Sequence, residues 1–287
     1  MRVFFACPAS KQFIQQLEKA QVDNVLFSFA FFPKIETVKK MFGDWKPKNI
    51  IVDSGAFSVW SRNEKVDIDK YAEFCYNVIS HFDKSDISCV NLDVLPGNFG
   101  RMPTTKERQE SVKQGRENFL YLSEKKGLNT IPVFHQHEDF KWLHLMMKDV
   151  KELKTNYLGL SPANDQPMKS KLAWLNKAFS ITKNDVKCHG FAVTGFQQLV
   201  TYPFFSADSS SWVSGGKFAR IPTFSNGRLQ GIHFKEAGAV NKLWKSSTVK
   251  DIKLFTDYNV RNYQGALAFK QLEEFITKVW QKRGITW

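Results

Sequence analysis

Short apolar runs alternate with amphipathic stretches along the first three quarters of the chain. The runs predict eight strands, at residues 3–7, 25–30, 50–53, 88–93, 131–136, 157–161, 188–193 and 204–208. They are apolar nearly throughout, as in Ile-Ile-Val-Asp at 50–53, which is typical of strands covered on both faces and favours parallel pairing. Eight such strands alternating with helices predict a closed α/β barrel, a (β/α)8 TIM barrel.

The segments between these runs carry helix signals. Ser10 stands where it can cap a first helix, and Thr104 with Glu107 has the spacing of a capping box. The main alternative to the barrel is an open doubly wound sheet. Its dinucleotide-binding form needs a G-x-G-x-x-G turn after the first strand, whereas residues 7–10 read Cys-Pro-Ala-Ser. We therefore prefer the barrel.

The repeat stops after Asp208. We expect a barrel core over residues 1–211 and an appendage over 212–265 that belongs to the same domain. Asn226-Gly227 in the appendage suits the tight turn of a β-hairpin. Residues 266–287 predict an amphipathic helix that closes the barrel; its apolar face carries Leu272, Phe275, Ile276, Val279 and Trp280.

The chain is strongly basic. Its 287 residues include 41 Lys+Arg against 28 Asp+Glu, a net charge of +13. This balance suggests a polyanionic partner, nucleic acid before membrane, while a generically basic soluble protein is the alternative. The first apolar run is too short for a signal peptide, and no stretch reaches the ~18 apolar residues of a membrane span. We expect a soluble, cytoplasmic protein of a bacterial host or a phage.

The four cysteines are isolated from one another. Cys7, Cys75, Cys89 and Cys188 lie in apolar surroundings and form no C-x-x-C pair, which fits reduced core thiols better than disulfides or a metal site. A metal site built from Asp53, Asp93, His135 and His189 is conceivable. No pair of them has tight ligand spacing on one element, so we expect no bound metal.

Acidic and polar residues end most of the predicted strands. They are Asp53-Ser54-Gly55, Asn91-Leu92-Asp93, His135-Gln136-His137, Ser161, His189-Gly190 and Asp208. Because catalytic groups of a TIM barrel lie at the carboxyl ends of its strands, three carboxylates would meet at one mouth. Close like charges raise one another's pKa and so provide a proton donor beside an anion. No lysine ends a strand, which argues against a Schiff-base aldolase or a pyridoxal enzyme.

Six segments resemble the tRNA-guanine transglycosylase superfamily, and most closely its DNA-acting members from phages and bacterial modification clusters. They are Val-Asp-Ser-Gly-Ala-Phe at 52–57, Asn-Leu-Asp at 91–93, Phe-His-Gln at 134–136, Tyr-Leu-Gly-Leu-Ser at 157–161, His-Gly-Phe-Ala-Val-Thr at 189–194 and Phe-Ser-Ala-Asp-Ser at 205–209. The resemblance covers about residues 1 to 212 and implies a pentosyltransferase that replaces guanine in DNA by a 7-deazaguanine, such as 7-cyano-7-deazaguanine.

The resemblance also implies roles for single residues. Asp208 would attack the sugar and form a covalent intermediate, and Asp53 would be the general acid/base. The base, flipped out of its stack, would be bound by Asp93, His135, Gln136, Gly159, Leu160, Phe57, Phe191, Ser54 and His189. Nucleic-acid phosphates would be held by Lys217, Arg220, Arg228 and Arg261.

Two departures from the family pattern favour DNA over tRNA. The last cysteine, Cys188, precedes the eighth strand, so the zinc site of the tRNA enzymes is absent and no cofactor is expected. The basic motif after the nucleophile is also not evident. Open alternatives are a tRNA enzyme with the same chemistry, a non-catalytic nucleic-acid-binding subunit, and a barrel glycosidase acting on free sugars. Paired carboxylates suit the glycosidase, but no aromatic sugar platform is recognisable in the sequence, and +13 is hard to explain for a neutral substrate. Whether the protein is a homodimer stays open.

Overall fold

Parallel strands form a single curved sheet at the centre of the molecule. The computed structural model describes residues 1–163 and 165–287. The strands are β1 Arg2–Ala6, β2 Asn24–Ser28, β3 Asn49–Asp53, β4 Asp86–Val90, β5 Thr130–Ile131, β6 Val133–His135, β7 Tyr157–Ser161, β8 Lys187–Gly190 and β9 Ser206–Ser209. They pair in the order β5-β4-β3-β2-β1-β9-β8-β7-β6. Each strand therefore lies beside its neighbour in sequence, and β1 pairs with β9.

Pro132 separates the two strands at the ends of this order. β5 pairs with β4, β6 pairs with β7, and only Pro132 stands between β5 and β6. Proline has no backbone N–H for the ladder, but its carbonyl oxygen accepts a hydrogen bond of 2.8 Å from Gly159 N–H. β5 and β6 are thus one interrupted strand that joins both edges of the sheet. The predicted eight-stranded α/β barrel is confirmed.

Helices connect the strands on the outside of the barrel. They are α1 Lys11–Lys19, α2 Ile35–Phe42, α3 Ala56–Trp60, α4 Ile68–His81, α5 Thr105–Leu120, α6 Phe140–Glu152, α7 Met168–Thr182 and α8 Phe196–Thr201. α5 begins with the predicted capping box, in which Thr104 and Glu107 exchange hydrogen bonds. Ser10 precedes α1, but its side chain makes no capping hydrogen bond. A π-helical turn at Tyr121–Lys125 follows α5.

Alternate residues of each strand face opposite sides of the sheet. Outward side chains such as Val52, Phe134, Leu160 and Ala207 join the large core beneath the helices. The inward side chains form a separate apolar cluster in the barrel interior: Phe4, Leu26, Ile51, Val90, Ile131, Val133, Tyr157 and Phe205. Asp53 comes two residues after Ile51, and His135 two after Val133, so the same alternation directs both toward the mouth of the barrel.

The segment after β9 is an appendage with its own small core. It contains a 3-10 turn at Ser211–Val213, α9 Ser214–Phe218, the hairpin β10 Arg220–Ser225 and β11 Arg228–His233, α10 Ala239–Ser246 and a second 3-10 turn at Ile252–Phe255. Asn226 and Gly227 join the hairpin strands with φ values of 51° and 71°, the left-handed pair that a type I′ turn requires. The core of the appendage contains Ile221, Ile232, Ala239, Leu243 and Leu254.

The last helix, α11 Tyr258–Lys282, is 25 residues long and begins ahead of the predicted start at residue 266. Leu272, Ile276 and Trp280 are buried in the large core. Glu273 reaches the amino-terminal end of the barrel, which we call the floor. There its carboxylate accepts hydrogen bonds from Val3 N–H at 2.7 Å and from the Asn24 amide at 3.0 Å. α11 therefore packs along the barrel and also contacts its floor.

The remaining global features agree with the sequence. All four cysteines are free thiols and buried. Within residues 1–163 and 165–287, no helix has both the length and the apolar character needed to cross a membrane.

Two glycines within helices provide a test of this packing. A Cβ at Gly265 in α11 would lie 2.0 Å from the carbonyl oxygen of Trp212, whereas at Gly115 in α5 the nearest atom would be 3.9 Å away. We expect Gly265→Ala to lower the free energy of unfolding by about 1–3 kcal/mol through overpacking. Gly115→Ala should raise it by about 0.5–1 kcal/mol, since alanine favours helix. Urea denaturation of both variants measures this. Equal effects of the same sign would contradict the close approach of α11 to Trp212.

Candidate active site at the barrel mouth

The turn after β3 positions Asp53. Gly55 has a φ of 73°, and a Cβ at this position would lie 2.4 Å from the Ala30 Cβ. Only glycine accepts both the left-handed backbone and the close approach to the loop after β2. The Ser54 side chain is 1% exposed and donates a hydrogen bond of 2.9 Å to Asn91 O. Ser54 thus ties the ends of β3 and β4 together and is not open to a ligand.

Asp53 lies near two other carboxylates at the mouth. Loss of hydration raises the pKa of Asp53 to about 6, and the negative charges of Asp208 and Asp93 add to this increase. A carboxyl group with this pKa exchanges its proton near neutral pH, as a general acid or base must. Asp93 and Asp208 are thus close enough to Asp53 for their charges to act on its carboxyl group.

Asp93, His135 and Glu138 form a charged group on one side of the mouth. His135 Nε2 lies 3.1 Å from Asp93 Oδ2, and the backbone N–H of His135 donates to Glu138 Oε2 at 3.2 Å. Burial lowers the pKa of His135, but the hydrogen bond to Asp93 and the charges of Asp93 and Glu138 outweigh it and raise the pKa to about 9. Burial raises the pKa of Glu138 to about 7. His135 is therefore an imidazolium at neutral pH.

Asp208 at the end of β9 is held by two nitrogen atoms. The backbone N–H of Ala192 donates to Oδ1 at 2.8 Å, and His189 Nε2 lies 3.3 Å from the same oxygen. Ala192 has a φ of 54°, an uncommon conformation for a residue with a side chain, and it aims this N–H at the carboxylate. Among the described residues no hydrogen bond reaches Oδ2. The side chain is 13% exposed, and Oδ2 is the oxygen that these two donors leave unbonded.

Aromatic side chains line the rim beside β3 and β4. Phe57 in α3 is 62% exposed and Phe99 is 54% exposed. Trp60 stands between them, with ring centroids 5.9 Å from Phe57 and 5.2 Å from Phe99, and its indole N–H donates to Gly97 O. We call Phe57, Trp60 and Phe99 the aromatic rim. The sequence analysis named Phe57 but missed Trp60 and Phe99, because the three residues follow two different strands.

Phe191 has a different environment from Phe57. It packs on the buried His189 ring at 4.5 Å between centroids, and a Cβ at Gly159 would lie 2.4 Å from its ring. Phe191 therefore fills the interior above Gly159, whereas Phe57 is exposed at the rim. Gly159 is covered by this ring, and its N–H is already bonded to Pro132 O.

Two further residues predicted to bind a base serve the protein itself. Gln136 accepts a hydrogen bond from Ala163 N–H at 2.9 Å and donates one to Ser170 Oγ at 3.0 Å, so it fixes the start of the loop and helix that follow β7. Leu160 is fully buried in the outer core, and its carbonyl oxygen accepts the Phe191 N–H.

The four basic residues predicted to hold phosphates lie in the appendage. Arg261 donates to Leu254 O and Phe255 O and stacks over Phe234. Arg220 donates to Gly231 O across the hairpin at 3.0 Å. Lys217 and Arg228 are exposed. Two of the four are thus engaged in the packing of the appendage.

Sequence reasoning missed Glu138, although its position three residues after His135 could have suggested a partner for that histidine. It did name the candidates for a metal site. Across residues 1–163 and 165–287, no three His, Cys, Asp or Glu side chains are grouped so that they could hold a metal ion.

Comparison with known proteins gives no family. No family model and no curated protein matches the chain. Among solved structures, one described as native KDPGal has 9% identity over 96% of this chain and 95% of its own, with a TM-score of 0.46. The YdjI aldolase from Escherichia coli K12 has 10% identity over 97% and 93%, with a TM-score of 0.46. A 4-hydroxy-2-oxoglutarate aldolase has 10% identity over 93% and 92%, with a TM-score of 0.42. Likeness at this level assigns no activity to the chain.

These findings correct the transglycosylase resemblance. Solved structures that resemble this chain are described as aldolases, and Gln136, Gly159, Leu160 and Ser54 make contacts within the protein. The predicted transglycosylase is therefore wrong. With it fall the exchange of guanine for a 7-deazaguanine, the pentosyltransferase class, DNA modification and the DNA or tRNA partner.

The raised pKa of Asp53 predicts a stability cost at neutral pH. The folded protein holds the Asp53 proton more tightly than the unfolded chain, whose aspartates titrate near 3.9. Stability therefore falls as the pH rises from about 3.9 to 6 and stays lower above this range. We expect Asp53→Asn to raise the free energy of unfolding by about 1–3 kcal/mol at pH 7.5 and to have little effect at pH 4. Urea denaturation at both pH values measures this, with exposed Asp185→Asn as the control. A loss of stability at pH 7.5 would contradict the burial of Asp53.

Proposed function

We propose that this chain is an enzyme that cleaves a glycosidic bond in a small molecule at the mouth of its barrel. The observation that carries the proposal is the different environment of two carboxyl groups: Asp53 has lost hydration, whereas two nitrogen atoms hold one oxygen of Asp208. Where environments separate the protonation of neighbouring carboxyl groups, one acts as the acid and the other as the anion. Glycoside cleavage requires such a pair on either side of the scissile bond.

Asp53 is the proton donor in this proposal. Its pKa of about 6 keeps a useful fraction protonated near neutral pH and still allows release of the proton to a leaving oxygen. Desolvation at the mouth is the main cause of this value, and the charges of Asp208 and Asp93 support it. The leaving group departs as an alcohol and leaves the negative charge on Asp53. A water molecule then forms the new bond to the sugar carbon and returns a proton to Asp53.

Asp208 is the anionic partner. Two nitrogen atoms fix its Oδ1, so the carboxylate cannot rotate freely, and Oδ2 has no hydrogen-bond partner among the described residues. A fixed carboxylate oxygen stabilises the positive charge that develops on the sugar ring as the bond breaks. Little reorganisation is needed when the charge appears, because the donors are already in place.

The aromatic rim supplies the sugar platform that the sequence did not reveal. Phe57 and Phe99 expose their rings beside the strand that carries Asp53. The negative face of an aromatic ring attracts the positively polarised C–H face of another group, and aromatic side chains offer large apolar contact area. One face of a sugar ring is a surface of this kind, so the rim would orient a substrate beside Asp53.

A second candidate function is proton transfer beside a carbonyl group, the reaction type that includes aldol cleavage. The His135 imidazolium favours it, because a cation at the mouth stabilises an enolate oxygen. Only Nε2 of this ring is bonded within the described part of the chain, to Asp93. Since no lysine ends a strand, this chemistry would proceed without a Schiff base.

The role of Asp53 can be tested by the dependence of rate on the leaving group. In a panel of small glycosides, Asp53→Asn should lower kcat/KM for methyl glycosides by about 10²–10⁴-fold, because their leaving oxygen needs a proton. It should change the rate for dinitrophenyl glycosides little, because that group leaves as a stable anion. Asp208→Asn should abolish both reactions. Product release is followed by absorbance and NMR.

Asp185→Asn is the control, because this exposed residue lies before β8 at the floor. If the native protein cleaves no glycoside in the panel, glycoside cleavage is wrong. If it then exchanges solvent deuterium into carbonyl compounds, and His135→Gln stops the exchange, the second candidate is correct.

A further inference from the structure

A network of hydrogen-bonded side chains, which we call the tyrosine network, runs through the interior of the barrel to Asp208. Tyr157 Oη lies 2.5 Å from Ser206 Oγ, and Ser206 Oγ lies 2.7 Å from His189 Nδ1. The opposite nitrogen of the same imidazole, Nε2, lies 3.3 Å from Asp208 Oδ1. Three residues on neighbouring strands β7, β8 and β9 thus connect the floor of the barrel with the carboxylate at its mouth.

Aromatic rings shield the tyrosine network from solvent. Ser206 and His189 are 0% exposed, and Tyr157 is 6% exposed. Phe4 and Phe191 pack edge-on against His189, and Phe205 packs edge-on against Tyr157. Because a buried polar group without a partner is costly, each member of the tyrosine network needs a hydrogen bond with the next.

The number of available protons determines which group donates and which accepts at each hydrogen bond of the tyrosine network. The carboxylate form of Asp208 has only acceptor oxygens, so its contact with His189 is a hydrogen bond when Nε2 carries the hydrogen. In a neutral imidazole Nδ1 is then an acceptor, and the single hydroxyl proton of Ser206 must point to it. Ser206 Oγ is left to accept the phenol proton of Tyr157. Burial raises the pKa of Tyr157 well above its usual range, so the phenol keeps this proton.

The charges at both ends agree with this direction. Arg2, whose guanidinium is paired with Asp86, lines the same floor cavity as Tyr157. A cation favours the lone pairs of the phenol oxygen on its own side, which turns the O–H toward Ser206. At the mouth, the carboxyl group of Asp53 interacts with that of Asp208, and Asp53 donates no hydrogen bond to His189 among the described contacts. Lys187 also lines the floor, with its ammonium over the Phe205 ring.

We propose that Tyr157 and Ser206 are positioning residues that hold His189 in the tautomer with hydrogen on Nε2, and that His189 thereby fixes the orientation of the Asp208 carboxylate. The proposal rests on the proposed role of Asp208 at the mouth. It adds residues that lie away from any substrate, since Tyr157 stands at the opposite end of the barrel interior. In this proposal Asp208 contacts the reacting atoms, and Tyr157, Ser206 and His189 do not.

The tautomer can be read directly by NMR. In protein labelled with 15N-histidine, the six histidines give ring signals, and His189→Gln identifies those of His189. We expect a protonated Nε2 and an unprotonated Nδ1 in the native protein. Tyr157→Phe removes the first donor, so Ser206 loses its fixed direction and both His189 signals should move toward the average of the two tautomers. Ser206→Ala should shift them as much or more, and Ser206→Thr, which keeps the hydroxyl, should restore the native pattern.

Tyr202→Phe is the matched control. Tyr202 is also buried, and its hydroxyl group is hydrogen-bonded to Leu172 O and Asn176 Oδ1, outside the tyrosine network. It should leave the His189 signals unchanged. The proposal is overturned if native His189 carries its hydrogen on Nδ1 or on both nitrogens, or if Tyr157→Phe and Ser206→Ala leave its signals unchanged. Because the measurement needs no substrate, failure of the glycoside assay and failure of this proposal are distinguishable.

Discussion

The alternation of side chains along closed parallel strands is the constraint on which the rest of this structure depends. Closure leaves each strand with one face toward the helices and one toward the interior, so every second residue is committed to one core or the other. Ile51 and Val133 occupy the interior, and the positions two residues later are Asp53 and His135. Asp53 and His135 therefore converge because each continues the inward-facing set of residues on its own strand. The barrel aims them at one mouth as a consequence of filling its own interior.

The site conflicts with the stability of the same interior. Asp53 loses hydration and lies near two other carboxyl groups, and His135 and Glu138 are also withdrawn from water. The protein limits the cost by pairing: His135 with Asp93, and Asp208 with His189 and Ala192 N–H. Asp53 has no comparable cation partner among the described residues. Its negative charge is therefore costly to keep at the mouth, which also suits Asp53 to moving a proton.

The barrel was predictable because its signal is repeated eight times. Runs such as Ile-Ile-Val-Asp announce both a strand and the polar residue that ends it, so Asp53, Asp93, His135 and Asp208 could be named from sequence. Their partners could not. Gln136 and Arg261 resemble ligand-binding residues in sequence, yet they bond loops whose paths depend on tertiary packing. The resemblance to transglycosylases failed because its motifs are short. The glycine of Asp-Ser-Gly, for example, is explained by the close approach of Gly55 to Ala30.

The interruption at Pro132 makes one side of the barrel weaker than the others. β5 and β6 are the two shortest strands in this sheet, with two and three residues, so the ladder has a seam where fluctuations should separate strands first. The ion pair of His135 with Asp93 spans this seam, because one partner ends β6 and the other follows β4. Its contribution is complete below the ordinary histidine pKa of about 6.5 and is lost as the pH rises through about 9. Alkaline conditions should therefore loosen the barrel on this side. The positive charge of His135 at the mouth thus also helps to hold β4 and β6 together across the seam.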